Sequence, residues 1–117
     1  MGWREKTYVI NDEFIEEHWG WRKKRIACDD IVEIAGLNWD MLGYTSIWLA
    51  VLDSKGTEFQ IEELNPAFKI LEKMFSEKYV EYPKDRKWMG LLEIDGVGWY
   101  RVLWRKAKEG DEPTSRT

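Results

Sequence analysis

The chain has 117 residues, of which 18 are basic and 22 acidic, so its formal net charge is -4. This length fits one domain of ordinary size and excludes a multidomain enzyme. Hydrophobic residues make up 44% and charged residues 34% of the chain, which excludes a disordered or fibrous protein. The outlier is tryptophan, with 8 residues. Because each buried aromatic ring removes roughly 150–250 Å² from water, the tryptophans predict a core of large area.

Seven runs of β-branched, aromatic or alternating apolar residues predict strands. In chain order they cover residues 7–10, 14–21, 22–28, 31–34, 47–52, 58–62 and 97–104. Gly20 permits a bend or bulge between Trp19 and Trp21, which share a strand face because side chains repeat every second residue. The run 47–52 is apolar on both faces and predicts a central strand that is covered on both sides.

The hydrophobic period changes to a helical one at Asn65. Asparagine is a strong N-cap residue, and the proline that follows it suits the first helical position. Apolar residues at positions i, i+3 and i+7 predict an amphipathic helix from Pro66 to about Lys78. A second, shorter helix is predicted between residues 82 and 90.

Together these elements predict an α+β fold. A bent antiparallel sheet is packed by one amphipathic helix, with a short second helix and a C-terminal strand. We expect one domain over residues 1–106 and a flexible tail over residues 107–117. Cys28 is the single cysteine, which excludes an intrachain disulfide and a cysteine-based zinc site. The first residues lack the apolar run of a secretory signal and no run is long enough to cross a bilayer, so we expect a soluble, cytoplasmic protein.

Residue types that support catalysis are sparse. His18 is the single histidine and shares a predicted strand face with Glu16, which favours a salt link between the two over general-base chemistry. Cys28 lies beside apolar residues and is predicted to be a buried, inert thiol. Neighbouring carboxylates such as Glu16 and Glu17 point to opposite faces of a strand and do not form a catalytic pair. We therefore expect no enzymatic activity, no metal and no cofactor.

The middle of the chain is acidic, since residues 29–65 contain eight carboxylates and a single base, Lys55. If the strands of this segment lie side by side, the carboxylates form one negative surface that steers a cationic partner. A solvated sheet face that keeps the protein soluble is the alternative. The residues predicted to contact a partner, with a loop tryptophan as the anchor, are Asp29, Asp30, Glu33, Trp39, Asp40, Glu62 and Glu63.

A run of four bases lies next to Trp19 and Trp21 in the sequence. The run consists of Arg22, Lys23, Lys24 and Arg25. Cations neutralise phosphates while aromatic rings stack on bases, so this pattern is an alternative site for an anion. The acidic chain as a whole, and the alternation that sends two of the bases to each strand face, argue against nucleic acid as the ligand. No membrane partner is expected.

The order of elements carries a family resemblance. An Asp29-Asp30 pair leads into an aliphatic strand, an aliphatic strand with a tryptophan lies at 47–52, and Trp104-Arg105 ends the domain. This pattern resembles small bacterial proteins with a pleckstrin-homology-like sheet, several of which are immunity proteins of polymorphic or contact-dependent toxin systems. The resemblance implies a half-barrel sheet and a non-catalytic protein that occludes the active site of a cationic toxin domain. The alternative is an adaptor that binds an anionic ligand or protein through the four bases.

Overall fold

The computed structural model describes residues 6–40, 45–85, 88–89 and 99–107. Its strands and helices are β1 (Thr7–Ile10), β2 (Phe14–Trp19), β3 (Arg22–Ala27), a short 3-10 helix (Cys28–Asp30), β4 (Ile31–Asp40), β5 (Thr45–Asp53), β6 (Glu58–Glu62), α1 (Pro66–Lys78) and β7 (Trp99–Arg105). The strands form two antiparallel sheets, one in the order β1-β2-β3 and the other in the order β6-β5-β4-β7. The sheets do not close into a barrel. The predicted α+β class and the main helix are confirmed.

Both sheets and α1 contribute to one hydrophobic core. Its fully buried side chains include Ile15, Ile26, Leu49, Val51, Phe59, Ile61, Phe68, Leu71 and Phe75. Burial of one such side chain stabilises the fold by roughly 1.5–3 kcal/mol. Within this core the ring of Phe68 stacks on that of Trp88, with 6.4 Å between the centroids.

The helix α1 begins as the sequence predicts. The side-chain oxygen of Asn65 accepts a hydrogen bond of 2.9 Å from the amide of Ala67, which is the expected N-cap contact. The side-chain amide of Asn65 also donates to the backbone carbonyl of Lys6, at 2.8 Å. A single residue therefore caps the helix and ties it to the chain at the start of β1.

The strand predicted at 31–34 is longer than expected. The predicted end at residue 34 is wrong, because β4 continues through Gly36 and Asn38 to Asp40. Gly36 lies opposite Leu49 of β5 and Arg101 of β7, so β4 is paired along both of its edges. Pairing on both sides overrides the low strand propensity of glycine and asparagine.

The central strand β5 has buried residues on both faces, although Trp48 and Leu52 are partly exposed. Leu49 and Val51 point into the main core, while Ala50 packs with Ala35 and Leu37 in a small cluster on the opposite face. The alternation predicted for the last strand is interrupted. A register shift between β4 and β7 brings Trp104 against the main core together with its neighbour Leu103, although Tyr100 and Val102 remain exposed. 

Some predicted features fall outside the described residues. Of the short helix between residues 82 and 90, the structure describes Trp88 and Met89 as helical and buried, and residues 86, 87 and 90 lie outside. The predicted tail lies outside from residue 108 onward. Among the helices that the structure describes, none has the length and apolar character needed to cross a membrane.

Candidate functional site

The inner face of the three-stranded sheet changes from apolar to polar residues along the strands. Its strand register arranges the inner face in three successive rows across β1, β2 and β3. The rows are Ile10-Ile15-Ile26, Tyr8-Glu17-Lys24 and Trp19-Arg22, the last of which is extended by Lys6, a residue that precedes β1 and contacts the Trp19 ring. The first row belongs to the hydrophobic core, the second is polar, and the third combines an aromatic ring with two cations. This sheet therefore extends an unburied end beyond the core.

A tight turn connects β2 and β3 at that end. The sequence predicts a continuous strand over residues 14–21, but Trp19 pairs with Arg22, which leaves Gly20 and Trp21 as a two-residue loop. Gly20 has a φ of 62°, the left-handed conformation that such hairpin loops require at their first position. Trp19 and Trp21 therefore do not share a strand face. Trp21 lies at the tip with 89% of its surface exposed, and Trp19 is 42% exposed.

An open pocket of about 400 Å³ lies at this end of the hairpin. We call it the hairpin-end pocket, and its lining consists of Lys6, Glu17, Trp19, Trp21, Arg22, Lys23 and Lys24. Four of these side chains are basic and one is acidic, so the pocket is cationic within an acidic protein. The cations also contact the rings: Lys6 Nζ is 5.5 Å from the Trp19 ring, and Arg22 Cζ is 5.7 Å from the Trp21 ring.

The single carboxylate of the pocket forms ion pairs with two of its four cations. The Glu17 side chain is only 5% exposed, and its oxygens lie 3.7 Å from Lys6 Nζ and 3.8 Å from Lys24 Nζ. The Tyr8 hydroxyl donates a hydrogen bond of 2.8 Å to the same carboxylate. Burial, the Glu17 charge and this hydrogen bond all raise the pKa of Tyr8. Because a buried carboxylate is costly without partners, the two lysines and the Tyr8 hydroxyl compensate the charge of Glu17.

The outer face of the same hairpin holds a separate ionic cluster. Glu16 accepts hydrogen bonds from Arg25, with 2.9 Å to Nη2 and 3.0 Å to Nε, and its other oxygen is 2.7 Å from His18 Nε2. The His18 and Arg25 contacts lower the pKa of Glu16. The predicted link between Glu16 and His18 is confirmed. Arg25 is also 3.8 Å from the Phe14 ring, so it belongs to this cluster, whereas the other three bases of the run line the pocket.

The predicted acidic residues are divided between two ends of the four-stranded sheet. Asp29, Asp30 and Glu33 lie where β4 begins, while Trp39, Asp40, Glu62 and Glu63 lie toward the other end. Asp40 lies seven positions after Glu33 in β4, a distance of roughly 23 Å along a strand. The geometry therefore brings the seven residues together as two groups and does not assemble them at one place.

In the first acidic group, all three carboxylates have partners, and Asp29 lies 3.9 Å from Lys78 Nζ. Glu33 accepts from Arg105 at 2.8 and 3.0 Å, and Asp30 accepts from the Ser54 hydroxyl. The side chain of Asp29 is fully exposed.

In the second group, Glu62 accepts a hydrogen bond of 2.9 Å from the Ser46 hydroxyl, and the Glu63 amide donates to the backbone of β5. Trp39 and Asp40 pair with β5 at the end of β4, and the structure describes only their backbone.

The described residues contain no group of three or more histidine, cysteine or acidic side chains arranged to hold a metal ion. Cys28 is buried, as predicted, and burial raises the pKa of its thiol. What the geometry supplies at the hairpin-end pocket is exposed aromatic surface and fixed positive charge, which are the means of binding an anionic group.

Sequence reasoning missed Lys6, Glu17 and Tyr8 as members of this site. They come together because β1 and β3 flank β2 in a definite register. The available signal was Gly20-Trp21: as a two-residue turn it fixes the pairing of β2 with β3. The chain matches no family model, no curated protein and no solved structure.

Proposed function

We propose that this chain is a non-catalytic, cytoplasmic binding protein that captures an anionic protein partner at the hairpin-end pocket. The observation that carries the proposal is Trp21, which is 89% exposed at a hairpin tip while four bases follow it directly in the sequence. The conformation of the turn requires a glycine at position 20, but it does not require an indole at position 21. A large apolar ring kept in water at a projecting tip is typical of a contact residue.

The two kinds of side chain in the pocket have complementary roles. The cations Lys6, Arg22, Lys23 and Lys24 attract a negatively charged partner over a distance set by the ionic strength. The rings of Trp19 and Trp21 then supply apolar area at close range, and tryptophan and arginine are the residues that most often dominate binding energy. The single cysteine agrees with a reducing compartment.

The proposal is tested with a fluorescein-labelled oligoglutamate peptide and fluorescence polarisation at low ionic strength. The double variant Arg22→Glu with Lys24→Glu reverses two cations of the pocket, and we expect its affinity to fall about tenfold or more. The matched control is Lys55→Glu with Lys69→Glu, which makes the same change in net charge at two exposed lysines outside the pocket. Equal losses in the two double variants would show a net-charge effect and contradict the proposal.

The resemblance to immunity proteins supports a second candidate, in which the partner is a cationic toxin domain. The observation in its favour is that the backbone places Asp40, Glu62 and Glu63 at one end of the four-stranded sheet. The double variant Glu62→Lys with Glu63→Lys should then bind labelled oligolysine more weakly than Glu77→Lys with Glu81→Lys, a control on exposed residues. If the two double variants bind oligolysine equally, the acidic group is not the contact surface.

A further inference from the structure

A second open pocket adjoins the first. Its volume is about 430 Å³, and we call it the edge pocket because it lies along the outer edge of β6. Its lining consists of Lys6, Tyr8, Trp48, Gln60, Glu62, Leu64, Asn65 and Pro66. Lys6 lines both pockets, so they are neighbours on the surface between the hairpin tip and the start of α1. A small anion would occupy only the hairpin-end pocket.

The outer edge of β6 has backbone groups without partners. The amide of Glu63 donates to Ile47 and the carbonyl of Thr57 accepts from Asp53, so every second residue of the strand bonds to β5. The intervening residues direct their backbone groups away from β5. In the part of the chain that the structure describes, β6 pairs with no strand except β5.

Gln60 is the free position on this edge. The Glu58 carbonyl accepts from Lys24 Nζ at 3.1 Å, and the Glu62 carbonyl accepts from the Asn65 amide at 2.9 Å. Between them, both backbone groups of Gln60 point outward and have no partner among the described residues. A residue of an extended peptide placed opposite Gln60 can exchange two backbone hydrogen bonds with it, which is the pairing of an antiparallel strand.

The side chains around this edge define the character of such a peptide. Leu64 is 83% exposed beside the pocket and Trp48 lines its wall, so both offer apolar contacts. Lys6 and Lys24 line the hairpin-end pocket and favour carboxylates there, whereas Glu62 adds one negative charge to the lining of the edge pocket. Since side chains of a strand alternate between its two faces, a segment that alternates acidic and apolar residues matches both features.

We propose that the partner of this protein presents an extended acidic peptide segment, which pairs its backbone with Gln60 in the edge pocket and directs its carboxylates toward the hairpin-end pocket. The inference rests on the proposed function and specifies the chemistry of its ligand. It predicts recognition of a peptide backbone, which neither inorganic phosphate nor a lipid headgroup possesses.

The test uses a labelled peptide in which glutamate alternates with valine, prepared also in two N-methylated forms. One form is methylated at the even residues and the other at the odd residues, so that each removes a different set of amide donors. We expect one form to bind about tenfold more weakly than the other, because only one set of amides can face β6. This comparison does not depend on any protein variant and is unaffected by folding.

Two variants of Gln60 provide the corresponding test on the protein. Gln60→Pro removes the outward amide without removing a hydrogen bond to β5, and we expect it to weaken peptide binding several-fold. Gln60→Ala keeps that amide and should bind like the parent protein. The circular dichroism spectrum of each variant establishes that it is folded.

The outcomes separate this inference from the proposed function. If Arg22→Glu with Lys24→Glu abolishes binding while methylation and Gln60→Pro have no effect, the hairpin-end proposal stands and the backbone pairing is wrong. If none of these changes affects binding, both the proposed function and the backbone pairing with Gln60 are wrong. Full competition by inorganic phosphate, or retention on phosphatidylserine vesicles without any binding of the peptide, would overturn the inference in favour of a phosphate ligand or a lipid surface.

Discussion

The two sheets of this protein are both antiparallel, but they use their inner faces differently. The inner face of the four-stranded sheet is covered by α1, and its residues Leu49, Phe59 and Ile61 have no solvent exposure. The inner face of the three-stranded sheet contributes one apolar row to the same core and then continues into Glu17 and Trp19 at the surface. The inner face of the four-stranded sheet therefore stabilises the fold, while the end of the three-stranded sheet remains exposed and can contact a partner.

The largest difference between the two regions concerns stability. Phe68 of α1 is completely buried against the core, so Phe68→Ala should reduce the free energy of unfolding by roughly 3–5 kcal/mol. Urea denaturation followed by circular dichroism measures this loss. A loss below about 1 kcal/mol would contradict the assignment of α1 to the core.

Asn65 connects the two regions, because it caps α1 and bonds to the chain at the start of β1. Asn65→Ala removes both contacts and should cost about 1–2 kcal/mol of stability. Asn65→Asp retains an oxygen for the cap but loses the amide that donates to Lys6, so its cost should be smaller. Equal costs for the two substitutions, again measured in urea, would show that the cap oxygen contributes nothing.

The ionic cluster on the outer face of the hairpin predicts a dependence of stability on acid. The pKa of Glu16 is lowered in the folded protein, so the ionised carboxyl stabilises the fold above its unfolded pKa, near about 4.3. This contribution is lost as the pH falls through the lower folded pKa. Glu16→Gln should be less stable than the parent at neutral pH, and the difference should narrow in acid.

Urea midpoints measured across this pH range test the Glu16 prediction. The exposed residue Glu81 has no ion pair among the described residues, so Glu81→Gln is the matched control and should follow the parent at every pH. A constant difference between parent and Glu16→Gln at all pH values would contradict the assigned role of the carboxyl.

The smallest expected effect on stability is at the hairpin tip. Because Trp21 contacts little beyond Arg22, Trp21→Ser should change the free energy of unfolding by about 0.5 kcal/mol or less. The same substitution should weaken binding of oligoglutamate about tenfold, since it removes an exposed aromatic contact. A substantial loss of stability in Trp21→Ser would instead show that the indole is part of the fold.

Local signals in the sequence predicted those parts of the fold that depend on neighbouring residues. Asn65 and Pro66 determine where α1 begins, and both features are visible in two adjacent letters of the sequence. The path of β4 through Gly36 was not predictable in this way, because it depends on pairing with β5 and with β7 far along the chain. Strand propensity carries no information about such partners.

The candidate site also has features that the local sequence predicts and features that depend on residues far apart in the chain. The exposed bases and tryptophans of the hairpin were visible as a pattern, but the choice between a bulge and a tight turn at Gly20 decided which of them meet. The pairing of the Glu33 carboxylate could not be deduced either, since its partner Arg105 lies 72 residues away in the chain. Charge counted along a sequence therefore overestimates the negative surface that remains free after folding.

The central claim is that the anionic partner binds at the hairpin-end pocket and not at other basic parts of the surface. Titration of the ¹⁵N-labelled protein with unlabelled oligoglutamate tests it most directly, because the indole and backbone amide signals report the location of binding. The largest shifts should occur at the Trp19 and Trp21 indoles and at the amides of residues 22–24. Shifts confined to the exposed lysines of α1, or spread evenly over the protein, would contradict the claim.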